Sequence, residues 1–279
     1  MPSLVAALRR VAADRPSKEL LSFGGLSLSY GAALARAEFV AARLRAAGIS
    51  PLDRVALFLH NSPSFVEAYL GALLAGAVVV PLNTRYRHDE LEHVFGDASP
   101  ELLVTDPPGR ETIRACGLSG CREVVVDAGS DDRAWNALGS NAGIAREPEA
   151  GQPAILLYTS GTTGRSKGAI LTHGNLLHGA RAVVEAWEWT PADRLYLALP
   201  LFHMHGLGVG LHGTLAAGAS LTLERAFDPD RTRAALAEGT HTLFFGVPTM
   251  HTRLVAPGPR PKGLRLVVSG SAPLSPPAF

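Results

Sequence analysis

Lys167 is one of only three lysines among 26 basic residues, and it stands near the end of the stretch YTSGTTGRSKG at residues 158–168. Gly161 and Gly164 let the backbone turn its N–H groups toward an anion. Thr159, Ser160, Thr162 and Thr163 add hydroxyl donors around that turn. Lys167 adds a slim point charge where the rest of the chain uses arginine. Such a stretch suits phosphate. A plain polar turn is the bland account, because Gly, Ser and Thr gather in loops anyway; the rare lysine speaks for phosphate.

Common catalytic signatures do not fit. A Walker loop needs Gly-Lys-Ser/Thr after four intervening residues, but Gly161 and Gly164 are three apart and Gly168 follows Lys167. The run GLGVG at 206–210 has Leu211 where a Rossmann fingerprint needs its third glycine. No Gly-x-Ser-x-Gly elbow occurs. His203 and His205 have an H-x-H spacing, but no carboxylate or cysteine lies close in sequence, so no metal site is expected. Cys116 and Cys121 lack nearby ligand partners and make no disulfide framework.

Composition bounds the rest. The chain has 279 residues, 47% of them hydrophobic, and a net charge of +1. That charge gives no electrostatic case for nucleic acid or an anionic membrane. The longest uncharged apolar stretch, residues 68–82, is 15 residues with Pro81 inside. A membrane span takes about 20. The N-terminus carries Arg9 and Arg10 where a signal peptide needs its apolar run, and reads as a short amphipathic helix. A cytoplasmic enzyme or binding protein is expected.

Elements that could position these residues alternate along the chain. A hairpin is expected over 19–30, then helices over 31–47 and 64–75, and strands over 54–59, 77–82, 101–105 and 123–127. Residues 129–152 lose periodicity and read as a linker or surface excursion. Strands are expected again over 154–158, 194–199, 220–223, 241–245 and 264–268, with a helix over 173–188. Apolar strands alternating with helices predict an α/β fold, with layered parallel or mixed sheets covered by helices. Two α/β subdomains are expected, over 1–128 and 153–279. In such sheets ligands collect at the carboxyl ends of strands, here after Tyr158, Leu199, Phe245 and Val268.

TSGTTGRSKG followed by AILTHGNL resembles the phosphate-loop motif of the adenylate-forming superfamily, which includes acyl-CoA synthetases, luciferases and peptide-synthetase adenylation domains. Further segments agree in order: RVALFLHNSPSFVEAYLGALLAGAVVVPLN, LPLFHMHGL, GVPTM and VVSGSAPL. The resemblance covers nearly the whole chain. It implies an AMP-forming acid–thiol ligase. A carboxylate attacks the α-phosphate of ATP, pyrophosphate leaves with Mg²⁺ sharing its charge, and a thiol such as coenzyme A displaces AMP. Thr159, Ser160, Gly161, Thr162, Thr163, Gly164 and Lys167 match the phosphate motif, with Thr162, Thr163 and Lys167 implied in catalysis. Ser269, Gly270, Ser271, Ala272 and Pro273 match the adenine and acyl pocket. His203, Met204 and Gly246 fall where the acyl group is held.

Within the family the segments look most like malonyl-CoA synthetases and their medium-chain and fatty-acyl relatives. A dicarboxylic acid needs a second cation, and Arg253, one turn beyond GVPTM, is the candidate; its bland reading is a solvated helix arginine. A small-molecule carboxylic acid is therefore the expected partner, and a homodimer is left open. The family's Tyr-Gly-x-Thr-Glu motif, ribose-binding aspartate and mobile C-terminal domain with its lysine do not occur in these 279 residues. The expectation is most of an N-terminal domain, catalytically crippled by itself. A non-catalytic nucleotide- or acyl-binding module is the alternative.

Overall fold

The computed structural model describes residues 3–118, 121–129, 132–139, 148–159, 165–255 and 258–273. Twelve strands run along them: β1 (Glu19–Phe23), β2 (Leu26–Ser29), β3 (Arg54–Phe58), β4 (Val78–Pro81), β5 (Leu102–Thr105), β6 (Arg122–Val125), β7 (Pro153–Thr159), β8 (Lys167–Thr172), β9 (Arg194–Leu197), β10 (Ser220–Leu223), β11 (Leu243–Gly246) and β12 (Leu266–Ser269). They form two six-stranded sheets among the described residues, ordered β12-β11-β9-β10-β1-β2 and β6-β5-β3-β4-β7-β8. Pairing is parallel except in the hairpins β1–β2 and β7–β8. Helices fill the connections, as right-handed parallel crossovers require. The layered α/β architecture expected from the alternation is the one observed.

The sheets do not divide where the two expected subdomains do. β1 and β2 from the first half join the sheet of the second half, through β1 on β10. β7 from the second half joins the first-half sheet, through β4. Local periodicity specifies strands but not the order in which long crossovers assemble them. Within the expected linker or surface excursion a helix forms over Asp132–Asn136, and Trp135 is fully buried in the main core.

One continuous apolar core joins both sheets, with Leu21, Leu195 and Phe245 from one and Val55, Val79 and Ile155 from the other. The apolar run at 68–82 explains itself here. Helix Pro63–Ala75 is buried along its whole length, as expected of a helix apolar on every side. Its Ser62 cap and Pro63 at the first turn fix its start.

Both sheets present their carboxyl edges to one side, and Asn61 shows it. Asn61 follows β3, and its Nδ2 donates to the carbonyls of Leu199 (2.9 Å) and Glu224 (3.0 Å), beyond β9 and β10. Its Oδ1 accepts from the Leu201 N–H at 2.8 Å. The amide is buried with its polar groups paired across the two edges.

Candidate active site

Thr159 and Lys167, the described ends of the expected phosphate loop, stand at the carboxyl edge of the sheet containing β7. Thr159 ends β7 and Lys167 begins β8, and the two are Cα partners. Ser160, Gly161, Thr162, Thr163 and Gly164 lie outside the described residues. Strand β8 was not expected, and it makes the loop the connection of an antiparallel hairpin. Both Thr159 and Lys167 are exposed, so their polar groups are open to a ligand. Gly168 pairs with Tyr158, and a Cβ there would come within 2.7 Å of Leu156 Cδ1 and 3.4 Å of the tyrosine ring. The last glycine of the motif thus clears space for the Leu156 side chain.

A second cluster forms on the other sheet, where β9, β11 and β12 lie side by side and parallel. The chain leaves β9, passes His203 and Met204, and enters a π-helical segment, His205–Leu211. Such wide turns concentrate at functional sites. Met204 packs against Gly208, where a Cβ would fall 2.2 Å from its Cε. His203 is exposed, its ring edge-on to Phe202. His205 turns inward: its ring stacks near Phe245 and lies against Gly270, where a Cβ would be 2.8 Å from Cε1. Ser271 Oγ lies 3.4 Å from His205 Nδ1. Burial and the charge of His251 lower the His205 pKa, so the ring is neutral at pH 7.

Gly246 ends β11, and its carbonyl accepts from the Gly270 N–H at 3.2 Å. His251, on the helix Pro248–Leu254, donates from Nε2 to the Val268 carbonyl at 3.1 Å. These bonds tie the ends of β11 and β12 to one helix turn. Ser269 Oγ is buried and finds no partner among the described residues. Ser271 holds φ at +69°, in the left-handed region, and such strain in a non-glycine residue gathers at functional sites. Ala272 and Pro273 follow on the surface.

The structure thus brings together His205, Gly246, Ser269, Gly270 and Ser271, with His203 and Met204 at the margin. It does not bring Arg253 among them. The Arg253 guanidinium sits over the Phe227 ring at 6.0 Å, and its backbone carbonyl accepts from Arg233. Two positions along a helix from His251, it points to the other side. Among the described residues no group of three or more His, Cys, Asp and Glu side chains could hold a metal. No helix of the described residues is long and apolar enough to cross a membrane. Sequence reasoning missed Asn61, which lies unremarked inside the quoted segment at 54–83, and His251, which directly follows GVPTM.

Two sheets with joined carboxyl edges define an α/β domain, with the Thr159–Lys167 hairpin at the edge of one and the His205, Gly246 and Gly270 cluster at the edge of the other. The model of the AMP-binding enzyme family matches residues 8–279, and the chain belongs to that family. A feruloyl-CoA synthase of Amycolatopsis sp is 36% identical over 264 residues, 93% of this chain and 52% of that protein. A malonate–CoA ligase of Arabidopsis thaliana is 34% identical over 253 residues, 81% of this chain and 42% of that protein. The crystal structure of ATP-bound MatB from Rhodopseudomonas palustris superimposes with a TM-score of 0.88 at 36% identity, over 99% of this chain and 56% of that one. The chain spans about half the length of these relatives.

Proposed function

We propose that the protein serves the ATP-dependent activation of a short or medium carboxylic acid to an acyl-adenylate and then to an acyl-CoA thioester. The observation that carries this is the shared carboxyl edge, with the Thr159–Lys167 hairpin on one sheet and the His205–Gly246–Gly270 cleft on the other. ATP phosphates would meet Thr159, Lys167 and the hydroxyls of Ser160, Thr162 and Thr163. Lys167 would hold charge that builds on the departing pyrophosphate. The adenine and acyl groups would lie along Ser269 to Pro273, with His203, Met204 and Gly246 beside the acyl carbon chain. Mg²⁺ would enter on the triphosphate and share its charge. The family resemblance and ligase relatives support the reaction class. We assign turnover to the whole length of such a ligase, with the 279 residues alone binding nucleotide and making little or no acyl-CoA. Acid-dependent exchange of pyrophosphate into ATP tests the reading; a ligase of full length that exchanges with no acid at all, short or medium, fails it.

A malonate-like acid is the second reading, favoured by the malonate–CoA ligase relative. It would require the Arg253 guanidinium to turn from Phe227 toward the cleft. Under it, Arg253→Ala raises KM for malonate and leaves octanoate unchanged. Equal effects on the two acids would leave Arg253 a surface residue. The feruloyl relative, at similar identity, activates a different kind of acid by name, so identity at this level does not choose the acid. A non-catalytic nucleotide-binding role for the whole protein would instead show ATP binding with no exchange.

A further inference from the structure

The hairpin that carries Thr159 and Lys167 is anchored by a helix that belongs to neither motif. Helix His88–Ala98 starts with a Glu90 side chain that accepts from the Arg87 N–H. It is fixed by buried Leu91, Val94 and Ala98, which pack in a cluster with Ala56, Phe58 and Tyr158. His93 and Asp97 are four residues apart, so they share one face. That face meets the hairpin at both of its ends.

On the outgoing side, the Tyr158 hydroxyl donates to the Asp97 carboxylate. Burial, that hydrogen bond and the Asp97 charge all push the Tyr158 pKa up, so the hydroxyl stays a donor. On the returning side, His93 Nε2 lies 2.7 Å from the Ser166 carbonyl. A carbonyl only accepts, so Nε2 carries the proton. The His93 ring also meets the Tyr158 ring edge-on, with centroids 6.1 Å apart, which links the two contacts into one. Ser166 immediately precedes Lys167, and Tyr158 immediately precedes Thr159. An open groove of about 1020 Å³ runs beside His93, Asp97, Arg165 and Ser166, so burial on that side does not hold the stem.

We propose that His93 and Asp97 are positioning residues for the phosphate loop, fixing the two residues that flank it and hence the direction in which Lys167 leaves the strand. The inference rests on reading residues 159–167 as the phosphate site. Neither residue needs to touch the ligand for this role. His93 acts through the Ser166 carbonyl, and Asp97 through the Tyr158 hydroxyl. Placement errors of about 1 Å in such a site cost on the order of a hundredfold. The role needs a hydrogen-bond donor at position 93, not an imidazole as such.

Calorimetric titration of the 279-residue chain with MgATP and, separately, with AMP tests this. AMP lacks the phosphates that the loop would hold. His93→Ala should weaken MgATP at least tenfold and change AMP less than twofold. His93→Gln retains an N–H donor of similar reach and should return MgATP affinity to within threefold of wild type. Equal losses for both nucleotides, no loss for either, or a glutamine variant no better than alanine would overturn the proposal. Melting temperatures are read alongside, and if the alanine variant is unfolded the glutamine variant decides. Lys167→Ala separates this from failure of the phosphate-site reading. If a full-length ligase carrying Lys167→Ala exchanges pyrophosphate at the wild-type rate, the phosphate site itself is wrong and the positioning role falls with it.

Discussion

Thr159 and Lys167 face each other as Cα partners across β7 and β8, so the chain enters and leaves residues 160–166 at one point of the sheet edge. The anchor for that point includes Gly168. Gly168→Ala would drive a methyl to 2.7 Å from Leu156 Cδ1 and against Tyr158. The clash falls on the far end of the Leu156 chain at an exposed strand position, so the cost should lie at the low end of overpacking, about 1 kcal/mol. Chemical unfolding should show that loss, and MgATP binding should weaken with it. A variant as stable as wild type would mean that the hairpin opens without strain.

At the opposite edge of the other sheet, Asp193 is nearly fully buried and accepts from Arg265 Nε (2.8 Å), Arg265 Nη2 (2.7 Å), Thr242 Oγ1 (2.7 Å) and the Thr190 N–H (2.7 Å). Burial alone would raise its pKa, but the Arg265, Thr190 and Thr242 hydrogen bonds and the Arg265 charge outweigh it and bring it to about 2. A folded-state pKa below the unfolded value contributes stability that is complete above the unfolded pKa of 3.8 and lost as pH falls through about 2. The contribution is on the order of 2 kcal/mol. Asp193→Asn should lose it at pH 6. Equal stability of the variant and wild type at pH 6 would contradict the assignment.

Acid acts earlier through two buried histidines. Burial lowers His212 to about 3 and His173 to about 4. The His212 Nε2 sits 2.7 Å from the Tyr69 hydroxyl and hydrogen-bonds with it as a neutral ring. The unfolded chain binds these protons near 6.5, so the stability from keeping both rings neutral is complete above that pH and falls as pH drops through the folded values. The expected slope is about 1.4 kcal/mol per pH unit for each histidine. Unfolding free energies measured from pH 7 to 4.5 should decline accordingly, and a flat profile would show that these rings are protonated or hydrated in the folded state.

Much of this was legible from the residues, and what was not has physical causes. The helices and apolar strands announce themselves because buried faces impose a period. β8 does not, because its residues Lys167 to Ile170 are exposed. It is a strand only through its backbone pairing with β7. The exchange of β1 and β7 between the sheets is invisible for a related reason: a parallel crossover leaves no local mark of which neighbour it will find. The phosphate and strand-end motifs were readable as chemistry. Asn61 was not, since its partners lie 138 to 163 residues away. Arg253 was read as a candidate from its place in sequence, but which face of a short helix meets the cleft depends on contacts such as His251 with Val268.

The cleft itself gives a further expectation. Gly270→Ala would bring a methyl to 2.8 Å from His205 Cε1, and the imidazole would have to leave its place near Phe245. Binding of AMP to the chain should weaken, because the same backbone is proposed to line the adenine. An alanine variant with unchanged AMP affinity would place the adenine elsewhere.

The central claim is that the hairpin of Thr159 and Lys167 handles the phosphates of ATP during activation of an acid. The most direct measurement is acid-dependent pyrophosphate exchange by a ligase of full length carrying this chain, compared with its Lys167→Ala variant. Loss of one charge-assisted donor at the developing charge should cost about 2 to 4 kcal/mol in the transition state. The exchange rate should fall by about thirtyfold to about nine-hundredfold, with a much smaller change in ATP affinity. An unchanged rate of exchange in the Lys167→Ala variant would contradict it.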